Sequence, residues 1–595
     1  MWQSLIDACV DACQVLYNQE IKADIVHIQK TNAQFRQEAD LTVMVFPLVK
    51  FSRKAPEQTA QDIGNYLKNT VDYVEDFTVV KGFLNLKIAN SFWISFLQHH
   101  FSDTRFCIQE ADNSLAPIIV EYSSPNTNKP LHLGHIRNNL LGDSISRILK
   151  ANGKNVLQVN LVNDRGIHIC KSMLAWQKWG NGETPESSGL KGDKLVGKYY
   201  VLFDTHYKQQ IAELIGKGIG EEDAAKQAPL IQEAQTMLER WEAGDAEVRE
   251  LWKRMNSWVY AGFDVSYASM GISFDKMYYE SLTYLLGKDL VHKGLTDDIF
   301  YHNDDGAVWV DLTDEGLGEK LLLRANGTSV YMTQDLGTAC TRYDEFHPER
   351  MIYVVGNEQN YHFDVLKKVL KKMHYAWADA IRHFSYGMVE LPEGKMKSRE
   401  GTVVDADDLI AEVIETARQT TMELGKLDNF DSEEALNLFR ILGLGGLKYF
   451  ILKVDPLKNM MFNPKESIDF TGNTGPFIQY TYARIQSLLR KSDTEIGALN
   501  VSSSININEE ERELLHLCSD FDRILHLAAE ELSPAHIANY TFELAKQYNQ
   551  FYQRITVLKE ENQELREFRL ALSHFTAIII KNGMSLLGIE VPQRM

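Results

Sequence analysis

The sequence has few cysteines, and none of them has the spacing of a zinc site. The 595 residues include six cysteines, and no two of them form a C-x-x-C pair. The usual spacing of a zinc ribbon is therefore absent. Few, scattered cysteines are typical of proteins in a reducing cytoplasm. We therefore expect a cytoplasmic protein that holds no zinc.

Long apolar runs and a secretion signal are also missing. No apolar run approaches the roughly 18 residues that a membrane helix needs. Asp7 and Asp11 lie where a secretion signal would have a basic and then an apolar stretch, which argues against export. Since hydrophobic residues make up 44% of the chain, the sequence predicts a soluble protein with more than one core and no membrane contact.

Basic residues are in short supply. Acidic residues outnumber basic ones by 82 to 62, and the formal net charge is -20. This balance argues against a protein that coats nucleic acid indiscriminately. It leaves room for a nucleic-acid partner held on a local basic surface, because net charge does not describe patches.

The hydrophobic pattern divides the chain into three parts. Residues 1–112 mix helical and extended patterns and are predicted to form a small α+β domain. Residues 113–405 begin with a strand, a helix and a strand joined by short connections, which predicts an α/β domain with a parallel sheet. Within them, residues from about 180 to 300 are polar and helical and are interpreted as an insertion. Residues 406–595 predict an all-helical domain.

The first part can be resolved further. Helices are predicted over residues 2–18 and 56–69. Extended chain is predicted over residues 40–52, 73–80 and 83–88. This mixture is the basis for expecting an α+β class there.

Two histidines and a glycine, His132, Gly134 and His135, lie where the first strand of the parallel sheet turns into its helix. Zinc would need three or four ligands, and neither a cysteine nor the H-E-x-x-H pattern is nearby. One alternative is that one histidine caps the helix and the other is buried. However, open α/β sheets bind ligands at the carboxyl ends of strands, glycine admits a close ligand, and helix N-termini favour anions. The stretch is therefore interpreted as a site for the phosphates of a nucleoside triphosphate.

A basic motif, "GKMKSREG", follows a strand in the second half of the same fold, at residues 394–401. It places Lys395, Lys397 and Arg399 around Ser398 between two glycines. In isolation it would be interpreted as a solvated loop. At this position it can instead close over a triphosphate and stabilise the charge of a leaving pyrophosphate. The P-loop pattern G-x-x-x-x-G-K-[ST] does not occur in the sequence.

The two motifs together resemble the signature of the class I aminoacyl-tRNA synthetases, since "HLGH" is similar to their HIGH motif and "KMKSR" to a degenerate KMSKS motif. Further stretches resemble the arginyl-tRNA synthetase family. They are "VEYSSPNTNKPLHLGHIRNNLLGDSISRILKANG", "YMTQDLGTA", "YVVGNEQNYHFDVL", "MKSREGTVV", "NTGPFIQYTYARI", "LLGIEVPQRM" and "KGFLNLKI". The resemblance spans nearly the whole chain. It implies a Rossmann-like catalytic domain between a small N-terminal domain and a helical anticodon-binding domain.

The resemblance implies an arginine–tRNA ligase. Such an enzyme activates L-arginine with ATP to arginyl-adenylate and pyrophosphate, and then esterifies the 3′-terminal adenosine of tRNA(Arg), at the 2′-hydroxyl. ATP with Mg²⁺ is then a substrate, and no tightly bound cofactor is expected. L-arginine, ATP and tRNA(Arg) are the implied partners, tRNA is implied to be needed for the first step, and the chain is expected to be a monomer.

The resemblance also assigns residues to the nucleotide site. The KMSKS motif has lysine where this chain has Ser398, and the resemblance implies that Lys129, just before the histidines, compensates. The implied catalytic residues are Lys129, His132, His135, Lys395 and Lys397. The implied ATP contacts are His132, Gly134, His135, His362, Lys395, Met396, Ser398 and Arg399. For His362, a plain surface histidine is the alternative.

The implied amino-acid pocket consists of Glu121, Asn126, Tyr331, Asp335 and Gln359. A guanidinium takes planar carboxylate partners and accepts an aromatic face. Tyr331 and Asp335 are four residues apart and would share one helix face, so Asp335 is expected to hold the guanidinium and Tyr331 to line it. Glu121 and Asn126 would bind the α-amino and carboxylate ends, assisted by Gln359. Without the resemblance, Asp335 would be a surface acid and Tyr331 a core aromatic.

The tRNA contacts are implied in the two outer parts of the chain. Aromatic side chains stack on unpaired bases and cations hold phosphates; the alternative for the C-terminal stretch is an amphipathic helix with basic flanks. The implied residues are Phe83 and Asn85 at the tRNA elbow, and Tyr480, Tyr482, Arg484 and Met595 near the anticodon.

Three other functions share some of these features. One alternative is another class I synthetase, such as a glutamyl or a cysteinyl enzyme, although the cysteinyl enzyme would need zinc ligands that the sequence does not offer. A nucleotidyltransferase can share the H-x-G-H motif but needs no long helical C-terminus. A catalytically dead RNA-binding relative is disfavoured by the retained His132, His135 and Asp335.

Overall fold

The computed structural model describes residues 1–31, 39–390, 404–425, 430–502 and 505–595. The basic motif lies outside these ranges. The predicted nucleotide-binding residues Lys395, Met396, Lys397, Ser398 and Arg399 are therefore outside the described residues.

The first part of the chain packs helices against an antiparallel sheet. Its elements are α1 (Trp2–Tyr17), β1 (His27–Lys30), β2 (Leu41–Met44), α2 (Val49–Ser52), α3 (Pro56–Thr70), β3 (Val74–Val80), β4 (Phe83–Ile88) and α4 (Asn90–His100). The strands lie in the order β1, β2, β4, β3. The helices predicted over residues 2–18 and 56–69 and the strands over 73–80 and 83–88 are confirmed.

The extended chain predicted over residues 40–52 is only partly right. β2 ends at Met44, and the chain continues as a 3-10 helix, Phe46–Leu48, and then as α2. Pro47 lies at the start of the 3-10 helix. A proline has no N–H to donate to a sheet ladder, so the strand cannot continue through it.

The centre of the fold is a parallel sheet with strands in the order β12, β11, β5, β6, β7. The elements from this sheet up to the basic motif are β5 (Ile118–Glu121), α5 (Leu133–Ala151), β6 (Val156–Val162), α6 (Ile167–Trp179), α7 (Pro185–Ser188), α8 (Gly192–Gly216), α9 (Glu221–Gln227), α10 (Pro229–Glu242), α11 (Ala246–Met270), β7 (Lys276–Tyr279), α12 (Glu280–Thr283), α13 (Leu286–Thr296), β8 (Tyr301–His302), β9 (Val308–Leu312), β10 (Gly318–Leu323), α14 (Tyr331–Phe346), β11 (Arg350–Gly356), α15 (Asn360–Lys372), β12 (Ile381–Tyr386) and β13 (Val389–Glu390). The predicted β5–α5–β6 unit and its parallel pairing are confirmed.

The predicted insertion over residues 180–300 is too long. β7 lies inside that range and pairs in parallel with β6, so it belongs to the central sheet. The strand has only four residues and follows five helices, which is why the periodicity did not reveal it. Helices α7 to α11 form the inserted part, and an antiparallel sheet in the order β10, β9, β8 follows it.

The last part of the chain is helical, as predicted. Its elements are α16 (Ala406–Glu423), α17 (Ser432–Leu452), β14 (Met460–Met461), α18 (Pro464–Ser467), α19 (Gly475–Arg490), α20 (Glu509–Ser519), α21 (Phe521–Glu530), α22 (Pro534–Arg554) and α23 (Gln563–Leu586). The short β14 pairs with β13. In the described ranges, α17 is the one helix long and apolar enough to cross a membrane, and 72% of its most apolar window is buried inside the protein.

The N-terminal part is attached to the helical part through charged and aromatic side chains. Arg512 of α20 donates to the Asp40 carboxylate at 3.3 Å and to the Ile88 carbonyl at 2.9 Å. The indole N–H of Trp2 donates to Asp520 at 2.7 Å. These contacts hold the two outer parts of the chain together.

Helix α5 crosses the sheet in close contact with the end of β5. Tyr122, directly after β5, is fully buried, and its hydroxyl donates to the Ser273 carbonyl at 3.2 Å. A Cβ atom at Gly142 would overlap the Tyr122 ring. Only glycine lets α5 lie at this distance from the sheet.

We expect Gly142→Ala to destabilise the fold by about 1–3 kcal/mol, because the added methyl group forces the Tyr122 ring or the helix to move. Gly216→Ala is the matched control, since nothing lies within 4 Å of a Cβ there. The measurement is the midpoint of thermal unfolding. Equal midpoints for the two variants would contradict the close contact.

Candidate active site

The two histidines form the N-terminal cap of α5. His132 is the N-cap residue, and its Nδ1 accepts the Gly134 N–H at 3.1 Å. In return, Nδ1 of His135 accepts the His132 N–H at 3.1 Å. The ring centroids are 3.9 Å apart. The alternative that one histidine caps the helix is therefore confirmed for His132. His135 does more than lie buried, because its ring also satisfies one free N–H of the helix start.

These caps also determine which nitrogen of each neutral ring carries the proton. A ring whose Nδ1 accepts a hydrogen bond carries its proton on Nε2 when neutral. Enclosure by the protein and the Lys129 charge lower the pKa of His132 to about 3. Enclosure, His132 and Lys129 lower the pKa of His135 well below its usual value. Both rings are therefore neutral and retain an Nε2–H donor that the caps do not use.

Gly134 has a different immediate role from the one predicted. A Cβ atom at this position would lie 3.0 Å from Cε1 and 3.1 Å from Nδ1 of His132. The missing side chain therefore makes room for the capping ring itself. Lys129 lies close enough to both rings for its charge to lower their pKa values.

Glu121 ends β5 and is buried against an internal cation. Its carboxylate forms an ion pair with Arg342 of α14, whose side chain is 1% exposed. The Arg342 guanidinium also lies 4.6 Å from the Tyr278 ring centroid, and Ser124 donates to the second Glu121 oxygen at 3.3 Å. Any α-amino group that binds Glu121 would share it with Arg342.

Asp335 and His362 contact one another across 27 positions of sequence. Nε2 of His362 lies 2.5 Å from the Asp335 carboxylate, and the two side chains are 24% and 36% exposed. His362 is thus placed beside the predicted guanidinium partner. Tyr331 shares α14 with Asp335 but is 79% exposed, so its ring does not line that carboxylate in this structure; Asn126 and Gln359 are also exposed.

A second carboxylate near Asp335 was missed from the sequence. Glu280 follows β7 directly and faces a cavity of about 640 Å³ that Tyr331 also lines. Burial raises the pKa of Glu280 to about 7; the Arg165 charge opposes this shift, and the Asp164 and Asp335 charges add to it. Two carboxylates near one another suit a single guanidinium. The signal in the sequence was an acid directly after a short strand, hidden inside the predicted insertion.

Asp164, at the end of β6, holds Glu280 in place. Its carboxylate accepts the Ser281 N–H at 2.8 Å, the Ser281 hydroxyl at 2.7 Å and the Tyr260 hydroxyl at 2.9 Å. The start of α12, and with it Glu280, is therefore bound to the carboxyl edge of the sheet.

The predicted elbow contacts lie on β4. Phe83 is 36% exposed and meets Phe46 edge to face, with centroids 5.3 Å apart. Asn85 is 4% exposed, and its side chain accepts the Thr42 hydroxyl at 2.6 Å. The prediction that Asn85 contacts tRNA does not fit this structure, because its amide is buried in the sheet.

The predicted anticodon contacts lie on α19 and at the chain end. Tyr482 is 3% exposed and receives a hydrogen bond from Gln593 at 3.2 Å. Its ring is part of the core, so the prediction that it stacks on an RNA base does not fit. Arg484 lies 4.8 Å from the Tyr480 ring centroid, and Met595 is half-buried against the core.

Comparison with known proteins identifies the class to which this site belongs. The catalytic-domain model described as "tRNA synthetases class I (R)" matches residues 97–464, and the DALR anticodon binding domain matches residues 478–595. The fold is similar to the solved Thermus thermophilus arginyl-tRNA synthetase, with a TM-score of 0.81 at 24% identity over 100% of both chains. The Plasmodium falciparum arginyl-tRNA synthetase gives 0.76 at 19% identity over 100% of this chain and 99% of that one.

The curated relatives narrow the class to one family. The arginine–tRNA ligase of Bacteroides thetaiotaomicron is 58% identical over 99% of both chains. That of Porphyromonas gingivalis is 54% identical over 100% of this chain and 99% of its own. The chain belongs to the arginine–tRNA ligase family of class I synthetases.

The pKa of Glu280 makes a pH dependence of arginine binding testable. A guanidinium binds the carboxylate form, so KM for arginine should fall as pH rises between about 6 and about 8, by up to about tenfold per pH unit below the pKa. Glu280→Gln should raise KM and flatten this profile. Glu247→Gln, whose side chain is 91% exposed, is the control and should leave the profile unchanged. A profile with the wild-type slope in Glu280→Gln would contradict the assignment.

Proposed function

We propose that the chain joins L-arginine to tRNA(Arg) in two steps. In the first, a carboxylate oxygen of arginine attacks the α-phosphorus of ATP, the bond to the β,γ-pyrophosphate breaks, and arginyl-adenylate forms. In the second, the 2′-hydroxyl of the terminal adenosine attacks the activated carbonyl and AMP leaves. Magnesium enters as part of the ATP substrate.

The observation that carries this proposal is the convergence of two unlike sites on one edge of the sheet. The neutral His132–His135 pair begins α5 after β5, and Glu280 follows β7. Asp335 contributes its charge from α14. Carboxyl ends of parallel strands share one edge, so an anion site and a guanidinium site meet where arginine and ATP must react.

The nucleotide half is assigned to the start of α5 and the basic motif. The Nε2–H groups of His132 and His135 donate to phosphate oxygens without adding charge. Lys129, together with Lys395 and Lys397 outside the described residues, neutralises the charge on the departing pyrophosphate. Since little covalent chemistry falls to the protein in phosphoryl transfer, positioning and charge stabilisation supply the rate.

The arginine half is assigned to carboxylates from different elements. Asp335 and Glu280 bind the guanidinium, and arginine then competes with His362 for the Asp335 carboxylate. Glu121 receives the α-amino group beside its ion pair with Arg342. Closure of the exposed Tyr331 over the bound side chain would complete the pocket, with Asn126 and Gln359 at the carboxylate end.

The tRNA is assigned to the two outer parts. We assign the elbow to residues 1–112, with Phe83 as the exposed aromatic, and the anticodon to residues 406–595, with Tyr480, Arg484 and Met595. A cytoplasmic monomer is the expected form. The free state of all six cysteines supports a reducing compartment.

The test is ATP–pyrophosphate exchange with each protein amino acid, with and without tRNA(Arg). We expect arginine to be the only amino acid that supports exchange, and we expect it to do so only when tRNA(Arg) is present. Exchange driven by any other amino acid would assign the chain to a different class I synthetase. Full exchange without tRNA would contradict the tRNA requirement and leave the arginine specificity intact.

Lys129→Ala tests the compensation for Ser398. We expect the exchange rate to fall by about ten- to a hundredfold, because one cation near the developing charge is lost. Lys154→Ala is the control, since Lys154 follows the far end of α5 and is 41% exposed. An exchange rate near wild type in Lys129→Ala would show that Lys129 does not compensate.

A further inference from the structure

The chain that returns from the basic motif lies directly beside His132. The Leu133 N–H donates to the Val404 carbonyl at 3.2 Å, and the Ala406 N–H donates to the Leu131 carbonyl at 2.9 Å. Between them, His132 and Asp405 form an antiparallel bridge. Asp405 is the N-cap of α16, so the N-terminal caps of α5 and α16 are adjacent residues on paired backbones.

The two helix starts differ sharply in charge. The first turn of α5 contains no acidic residue. The start of α16 carries Asp405, Asp407 and Asp408, and Asp405 accepts the Asp407 N–H at 2.8 Å. Asp405 is bridged to His132, so these three carboxylates begin the helix next to the start of α5. Without opposing positive charge they would repel a triphosphate bound there, because like charges near one another interact appreciably even in a partly solvated site.

Two lysines from the inserted helices oppose them. Lys191, just before α8, forms an ion pair with Asp407 and another with Asp193 at 3.0 Å. Lys194, in the first turn of α8, lies 2.7 Å from Asp408 and 3.5 Å from Asp405. The Lys191–Asp407 pair is largely enclosed, with side chains 18% and 26% exposed. Lys194 is 28% exposed, and its partner Asp408, at 71%, lies at the surface.

Helices α8 and α11 pack closely around these two lysines. Asp193 is fully buried, and a Cβ atom at Gly262 of α11 would lie 2.6 Å from its Oδ1. Ser266 of α11 donates to Asp407 at 2.8 Å and receives a hydrogen bond from Lys191 at 2.6 Å. Helices α8 and α11 therefore hold the start of α16 in one position.

The pKa values of this cluster reflect burial first and the neighbouring charges second. Burial raises the pKa of Asp193, the Lys191 charge opposes the shift, and the Asp407 charge adds to it. Burial likewise raises the pKa of Asp405, with Lys194 opposing. Burial disfavours the charge on Lys194, yet its hydrogen bond with Asp408 and the surrounding carboxylates raise its pKa. Four carboxylates thus share two lysines.

We propose that Lys191 and Lys194 are positioning residues for ATP: they hold the start of α16 and cancel its carboxylates, so that the adjacent start of α5 can bind a triphosphate. The inference rests on the proposed function and gives the inserted helices a part in ATP binding. Neither lysine is required to touch ATP.

Lys194→Met tests this in ATP–pyrophosphate exchange with arginine and tRNA. We expect KM for ATP to rise about fivefold, while KM for arginine and kcat stay within about twofold of wild type. The rise in KM should shrink when ionic strength is increased from about 0.05 M to about 0.5 M, relative to wild type at the same salt, because screening weakens the exposed carboxylates' repulsion. Lys191→Met should act in the same direction.

A second substitution, at Asp408, distinguishes an effect of the Lys194 charge from an effect of its packing. In Lys194→Met/Asp408→Asn we expect KM for ATP to return to within about twofold of wild type, and Asp408→Asn alone should not raise it. Lys198→Met is the matched control on α8, because Lys198 pairs with Glu183 at 2.7 Å outside the cluster.

Two results would overturn the proposal. One is a parallel loss for ATP and arginine in Lys194→Met; the other is no rescue by Asp408→Asn. Either would assign these lysines to packing alone. If Lys191→Met does not fold, the more exposed Lys194→Met decides the question. If wild-type protein shows no arginine-dependent exchange, the proposed function fails instead, whatever the lysine variants do.

Discussion

The reciprocal cap of His132 and His135 is the interaction on which the active site depends. A helix start leaves backbone N–H groups without partners, and here the two Nδ1 atoms accept two of them. The same contacts leave Nε2–H groups as neutral donors at the sheet edge. Gly134 makes room for the ring, and Gly142 sets the depth at which α5 meets the sheet. In the proposed site the same two rings would therefore serve the helix start through Nδ1 and the ligand through Nε2–H.

Strong, local patterns in the sequence predicted the central βαβ unit, the helical C-terminus and the position of the histidines. The four-residue β7 was missed because its place in the sheet comes from pairing with β6, which no short pattern encodes. Missing β7 also concealed Glu280. Burial of Asn85 and Tyr482 was missed for a related reason: a polar or aromatic residue in an amphipathic element can face either way until its partners, Thr42 and Gln593, are known.

The charges around the proposed site are set by local contacts and do not follow from the negative net charge of the chain. On the proposed function, a chain of net charge -20 would bind a polyanion through uncharged donors at α5, with the carboxylates of α16 paired to Lys191 and Lys194. At the other side of the site, burial raises the pKa of Glu280, and the Asp164 and Asp335 charges add to the shift while the Arg165 charge opposes it. Net charge predicted neither arrangement, because each depends on contacts between helices far apart in sequence.

The double use of the histidines has a consequence for damaged copies of the chain. On the proposed function, replacing either ring by a side chain that cannot cap would weaken phosphate binding and would also remove one hydrogen bond from the start of α5. A frayed helix at the sheet edge exposes backbone and apolar side chains, and cellular proteases remove chains in proportion to how often they open. Such a variant would be degraded sooner than the intact chain, so the cell would hold less of it.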